Sequence, residues 1–378
     1  MATFPSNRDK NKNTGGRRQM KHVPQLDGLR AIAVLLVLLT HLWGYPPGYD
    51  LLNRVAAAGW MGVDLFFVLS GYLITRILWG TRDDQRYFLN FYMRRALRIF
   101  PIYYVLLAVV FIALPMFKPL PAELANEGWM YWLYLGNFAL AVGGWQLFLV
   151  DITWSLSVEE QFYLAWPALI RRLTPESMMQ FCVVVIGLSP FLRILFWDDE
   201  HWMWIHMLTP LRADAFAVGG LIAIMQLQNI KFPARAVFAV CAPMVAALVL
   251  TGNFKRESML VGTIGYSLTA VTAGAAVVLA TQTRALAAQP LTYIGKVSYG
   301  VYLYHPLCLM VMSSVLAMVG VKSKTLVGSF TSLIVTSATA VAAASASFYL
   351  VETRLLALKR FFASGSEGRP EPGATTSR

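Results

Sequence analysis

Arg30 and His41 stand eleven residues apart in one apolar run. Eleven helical residues turn about 1100°, roughly 20° past three full turns, so both side chains face one way, about 16 Å apart along the axis. A guanidinium suits phosphate oxygens, and an imidazole can accept a proton near neutral pH. Arg94-Arg95-Ala-Leu-Arg98 places Arg95 and Arg98 three apart on one helix face, a second anion-binding feature. Asp64, in Trp60-Met-Gly-Val-Asp64, is expected at the depth of His41 on a neighbouring helix, where a carboxylate could fix the imidazole tautomer. In Trp154-Ser-Leu-Ser-Val-Glu159-Glu160-Gln-Phe-Tyr163, Ser157, Glu160 and Tyr163 read as one face, with Glu160 pointing away from Glu159. Tyr72, Asp214 (near Arg212) and the shared face of Ser298, Tyr302 and His305 complete the polar set. These last residues read as acceptor-side or structural. His305, just before Pro306, reads as a hydrogen-bonder at a kink and as a milder counterpart of His41.

The elements that must position these groups are membrane spans. Of 378 residues, 57% are hydrophobic and 14% charged, against about 25% charged in soluble domains. The mean hydropathy is +0.54. Disorder, collagen, coiled coil and a disulfide scaffold are excluded. Ten runs suit a spanning helix of about 20 residues: 26–45, 60–79, 98–117, 154–170, 178–197, 211–229, 234–251, 258–281, 291–318 and 325–350. A further apolar segment, 129–142, is short and ends at Gly143-Gly144, so it reads as a thin eleventh span or a re-entrant piece. With ten spans and both termini inside, 24 of the 32 Lys and Arg fall on the cytoplasmic side and six outside. An eleventh span would spoil that asymmetry, which favours the re-entrant reading. The expected fold is therefore an all-α polytopic bundle of about ten helices. It comprises a basic cytoplasmic tail (1–25), a membrane domain (26–350) and a partly disordered cytoplasmic tail (351–378). The asymmetry also accounts for the net charge of +12 without a nucleic-acid partner.

Cys182, Cys241 and Cys308 lie far apart in apolar stretches and read as buried hydrophobes. No metal-ligand spacing, Walker A loop, dinucleotide turn, H-E-x-x-H or G-x-S-x-G motif is present. No internal repeat is evident. The first apolar run lacks a cleavage site and reads as an uncleaved span.

Leu26-Asp-Gly-Leu-Arg30 through His41, Gly62-Val-Asp64-Leu-Phe-Phe-Val-Leu-Ser-Gly-Tyr72, Phe91-Tyr-Met-Arg-Arg95-Ala-Leu-Arg98-Ile-Phe-Pro, Trp154 to Tyr163 and Ser298-Tyr-Gly-Val-Tyr-Leu-Tyr-His305-Pro together resemble the membrane acyltransferase-3 family. The likeness runs from residue 26 to about 350 in the family's order. It implies transfer of an acyl group, usually acetyl, from acyl-coenzyme A to a sugar hydroxyl. The family's Arg-x10-His falls on Arg30 and His41, and its Arg-x-x-Arg on Arg95 and Arg98. The expected partners are acyl-CoA, a glycan or lipid-linked saccharide acceptor and membrane lipid, with no tightly bound cofactor. The expected location is the bacterial inner membrane. Some family members carry an additional SGNH-type domain after the last span, and the sequence, ending about 28 residues past position 350, is expected to lack it.

On this reading, coenzyme A phosphates sit at Arg30, Arg95 and Arg98, and the pantetheine arm rises along the Arg30–His41 face. His41 serves as general base or acyl carrier, with Asp64 or Glu160 orienting it. A proton-coupled transporter or flippase would also use intramembrane His, Glu and Arg, but the basic cluster suits a phosphate-bearing donor better.

Overall fold

The computed structural model describes residues 22–362. The expected tail residues before His22 and after Phe362 lie outside the described residues. Ten helices correspond to the ten expected spans: α1 (Pro24–Leu42), α2 (Met61–Gly80), α3 (Tyr87–Ala108), α4 (Trp154–Arg172), α5 (Pro175–Leu195), α6 (Thr209–Leu227), α7 (Ala234–Thr251), α8 (Tyr266–Ala280), α9 (Gln289–Met318) and α10 (Leu326–Ser347). Among the described residues, nine helical stretches are long and apolar enough to cross a membrane. The tenth expected span, α4, is equally long at 19 residues but carries Glu159, Glu160, Arg171 and Arg172. Its charges mark it as an interior helix rather than a lipid-facing one, and Ser157 and Val158 are fully buried.

The bundle is apolar inside and out. Val34, Val37, Val68 and Phe67 fill the core, while Val105, Ile112, Val184, Phe191, Val240 and Ile334 project outward. A helix apolar all round belongs in lipid or in a large core, which fits a membrane bundle.

Close helix approach depends on glycine at two crossings. A Cβ on Gly71 of α2 would lie 2.1 Å from the Phe216 carbonyl oxygen of α6, and one on Gly219 would lie 2.1 Å from that of Val68. A Cβ on Gly295 of α9 would lie 1.8 Å from the Asp27 carbonyl oxygen of α1. From the Asp27–Gly295 crossing, α1 and α9 run in the same direction, which brings His41 and His305 together further along.

The segment 129–142 forms no eleventh span. It divides between two helices, Ala122–Trp132 and Gly136–Gly143, of 11 and 8 residues. At 1.5 Å per residue these are about 16 and 12 Å long, far short of a hydrocarbon core of about 30 Å. Tyr134, with φ 54°, marks the break. Neighbours satisfy the carbonyls that the break frees. Tyr103 Oη donates to the Tyr131 oxygen at 2.7 Å, Tyr104 Oη to that of Trp132 at 3.2 Å, and Gln161 Nε2 to that of Tyr134 at 2.9 Å.

Candidate active site

Two cavities lie end to end in the bundle. The inner one, about 190 Å³, is lined by Arg30 of α1, Ser70 of α2, Arg95 and Arg98 of α3, Glu159 and Tyr163 of α4, and Ser298 of α9, among others. The outer one, about 240 Å³, is lined by His41, Trp60, Trp145, Trp154, His206 and Arg256, among others. Val63 and Tyr302 line both. The Tyr302 hydroxyl is held in place: it lies 2.7 Å from Ser155 Oγ and donates to the Ile152 carbonyl at 2.8 Å.

Because α1 is unbroken from Pro24 to Leu42, the helical spacing of Arg30 and His41 is realised, with one residue in each cavity. Arg30 is steadied by Asp27, whose carboxylate accepts from its guanidinium at 2.7 Å and lies 2.6 Å from His22 Nε2. Arg95 and Arg98 join Arg30 across the inner cavity, as their shared face predicted. A neighbouring cavity of about 260 Å³ adds Lys296 and Lys359 to Arg30 and Arg98, with Asp27 and Glu352 also on its walls. Four cations thus gather at this mouth. Lys296 and Lys359 were invisible as site residues in the sequence, where each is one of many basic residues near a helix end.

His41 Nδ1 lies 2.9 Å from His305 Nε2, and His305 Nδ1 lies 2.6 Å from the Tyr302 carbonyl oxygen. Phe148 packs edge-on against the His41 ring, with centroids 5.0 Å apart. The loop bearing Trp145 and Phe148 is fastened by Asp151, which accepts from the backbone N–H groups of Gln146 and Leu147, each at 3.0 Å.

Asp64 does not meet the imidazole. Its carboxylate is paired with the Arg212 guanidinium, both groups essentially fully buried. Arg212 also lies over the Tyr266 ring at 3.9 Å. Asp214 pairs with buried Arg193 at 2.9 Å, and Arg193 further donates to the Thr263 carbonyl at 2.9 Å and the Leu211 carbonyl at 2.5 Å. These two pairs tie α2, α5, α6 and α8 together. Arg193, with a carboxylate and two carbonyls around it, is satisfied as a structural unit, whereas among the described residues Asp64 Oδ2 and Arg212 Nε are buried with no hydrogen-bond partner. Tyr72 donates to Gln226 Oε1 at 2.7 Å and accepts from Arg76 at 2.6 Å, away from both cavities. Ser298 lines the inner cavity and donates back to the Gly295 carbonyl at 2.9 Å.

Glu159, rather than Glu160, faces the inner cavity, where its carboxylate accepts from both Ser70 and Tyr163. Residues four apart differ by about 40° in azimuth and residues three apart by about 60°, so Glu159 meets Tyr163 more directly than Glu160 does. Glu160 borders neither cavity, and its Oε1 is buried with no hydrogen-bond partner. Among the described residues, no group of three or more His, Cys, Asp or Glu side chains gathers as a metal site would require.

The chain is similar to the peptidoglycan O-acetyltransferase OatA of Listeria monocytogenes, at 29% identity over 327 residues, 76% of this chain and 50% of that protein. It is 29% identical over 222 residues to the O-acetyltransferase OatA of Staphylococcus aureus, covering 54% of this chain and 35% of that one. It is 26% identical over 314 residues to the putative peptidoglycan O-acetyltransferase YrhL of Bacillus subtilis, covering 75% and 48%. The matched region thus spans half or less of each of these relatives. No solved structure matches the chain. The acyltransferase domain of the acyltransferase-3 family matches residues 23–350, nearly the whole bundle, and the chain belongs to that family.

Proposed function

We propose that this protein is an integral membrane O-acyltransferase that takes an acetyl group from cytoplasmic acetyl-CoA and places it on a glycan hydroxyl at the opposite face. The observation that carries this reading is the pair of cavities sharing Val63 and Tyr302, one gathering arginines and the other holding His41. The inner mouth offers Arg30, Arg95, Arg98, Lys296 and Lys359 to the phosphates of coenzyme A. The pantetheine arm is long and thin, as a passage beside α1 requires. It would bring the thioester to the Val63–Tyr302 constriction.

The outer cavity suits a saccharide. Trp145, which is exposed, supplies an apolar ring for a sugar, the buried Trp60 and Trp154 add to the wall, and Arg256 supplies a donor fork. The relatives named as peptidoglycan O-acetyltransferases support a glycan acceptor. In the reaction, His41 takes the proton of the acceptor hydroxyl as its oxygen attacks the thioester carbonyl carbon. The tetrahedral intermediate collapses with cleavage of the C–S bond, and the coenzyme A thiolate leaves with the proton returned by His41. General-base help of this kind contributes roughly 10²–10⁴-fold.

Purified protein mixed with isotopically labelled acetyl-CoA and soluble peptidoglycan fragments should consume the donor and yield an O-acetylated glycan, read by mass spectrometry. A proton-coupled transporter or flippase would neither bind nor consume acetyl-CoA, and that result would overturn the proposal.

A further inference from the structure

We propose that Pro306 and His305 set the tautomer of His41, making His305 a positioning residue for the base; the inference rests on the function proposed above. In an α-helix the N–H of residue i bonds to the carbonyl of residue i−4. Residue 306 is a proline inside α9, so the Tyr302 carbonyl has no N–H donor from that position. His305 Nδ1 fills the gap, 2.6 Å from that oxygen. A carbonyl oxygen only accepts, so the proton of this contact is on His305 Nδ1. The reverse arrangement would press two lone pairs together at this distance.

A neutral imidazole protonated on Nδ1 carries its lone pair on Nε2. His305 Nε2 is the atom facing His41 Nδ1 at 2.9 Å, so it accepts and His41 Nδ1 donates. The ring planes are within 3° of parallel and the centroids are 5.1 Å apart. That separation matches the N···N distance plus the two ring radii, so the rings lie end to end in nearly one plane, the alignment an N–H···N bond prefers. Among the described residues no carboxylate contacts either ring, and the pair of donors and acceptors is that of two neutral imidazoles.

The chain of donors therefore ends with a lone pair on His41 Nε2. This atom makes no hydrogen bond among the described residues, and the His41 ring borders the outer cavity. A base that must accept a proton from a hydroxyl needs that arrangement. The opposite tautomer would present an N–H there and could not act. When Nε2 takes the proton, His305 Nε2 continues to accept from Nδ1 of the resulting imidazolium. His305 is fully buried and never touches the acceptor.

Three variants and one spectroscopic reading test this. A glutamine at 305 can offer its amide oxygen where His305 Nε2 now sits, whereas a leucine fills space and accepts nothing. Against the parent, His305→Leu should lower kcat by about 10²-fold or more, within the 10²–10⁴-fold range of general-base help. KM for the acceptor and donor affinity should change less than about twofold. His305→Gln should recover at least tenfold of that loss. Pro306→Ala supplies the Tyr302 carbonyl with a helical N–H, loosens the hold on His305 Nδ1 and should lower kcat with KM unchanged. The chain has five histidines, so ¹⁵N-histidine spectra assigned by single substitutions can follow the tautomer directly. His41 should be protonated on Nδ1 and bare on Nε2 in the parent, and should lose that preference in His305→Leu. Finding His41 protonated on Nε2 in the parent overturns the inference, as does equal activity of the Leu and Gln variants. If the tautomer is as assigned but no variant and no parent preparation transfers acetyl groups, the function proposal fails while the tautomer assignment stands.

Discussion

In the proposed reaction His41 is the base, and its removal should separate binding from transfer. His41→Ala should abolish acetyl transfer while leaving donor affinity near the parental value, since Arg30 is about 16 Å away along the helix. Measuring both on protein of matched expression and folding decides the point. Loss of donor binding together with folding would make His41 structural. At the other cavity, Arg98→Ala should weaken acetyl-CoA binding, and Arg98→Lys should restore it only in part, because lysine keeps the charge and loses the fork. Equal donor affinity of parent, Ala and Lys proteins would reduce the arginines to helix anchors. That Arg30 shares a helix face with His41, and Arg95 with Arg98, was legible in the sequence because each pairing lies within one helix, where azimuth follows from residue count. Asp64 was not, because its partner Arg212 is 148 residues away and only the α2–α6 crossing brings them together. The His41–His305 contact spans 264 residues and was hidden for the same reason. The choice of Glu160 over Glu159 turned on a few tens of degrees, which the hydroxyls of Ser70 and Tyr163 resolve in favour of Glu159.

At the scale of elements, glycine contacts and side-chain hydrogen bonds hold the site in register. Gly295→Ala would push a methyl into the Asp27 carbonyl, so α9 must move off α1. Such overpacking costs about 1–3 kcal/mol, and here it also stretches the imidazole pair. Thermal unfolding in detergent should shift downward and transfer should fall; an unchanged midpoint with full activity would show the crossing to be slack. Gln161 has a comparable role beside the broken helix pair, donating to both the Tyr134 carbonyl and Asn137 Oδ1 at 2.9 Å. Gln161→Leu leaves those acceptors bare, at about 1–3 kcal/mol for each buried group, and should lower the unfolding midpoint by more than a substitution on the lipid-facing side of α5 such as Phe191→Leu. The long apolar runs announced ten spans, of which nine match helical stretches long and apolar enough to cross a membrane among the described residues and the tenth is the charged α4. The 129–142 break was only half legible: Gly143-Gly144 signalled an interruption, but the tyrosines and Gln161 that make the break tolerable come from α3 and α4.

On the proposed function, the whole molecule carries an acyl group across a membrane, and this requires its two cavities to open on opposite sides. The charge asymmetry predicts that a reporter fused after residue 360 reads cytoplasmic and one within 198–207 reads extracytoplasmic. A cytoplasmic reading at 198–207 would overturn the ten-span arrangement. The central claim is tested most directly in proteoliposomes holding the protein in one orientation, with acetyl-CoA and peptidoglycan fragments supplied on chosen sides. Acetylated product should form when acetyl-CoA is on the face bearing Arg30, Arg95 and Arg98 and the acceptor is on the face bearing His41 and Arg256. Product formed only when both substrates share one face, or acetyl-CoA left unconsumed from either side, would contradict it.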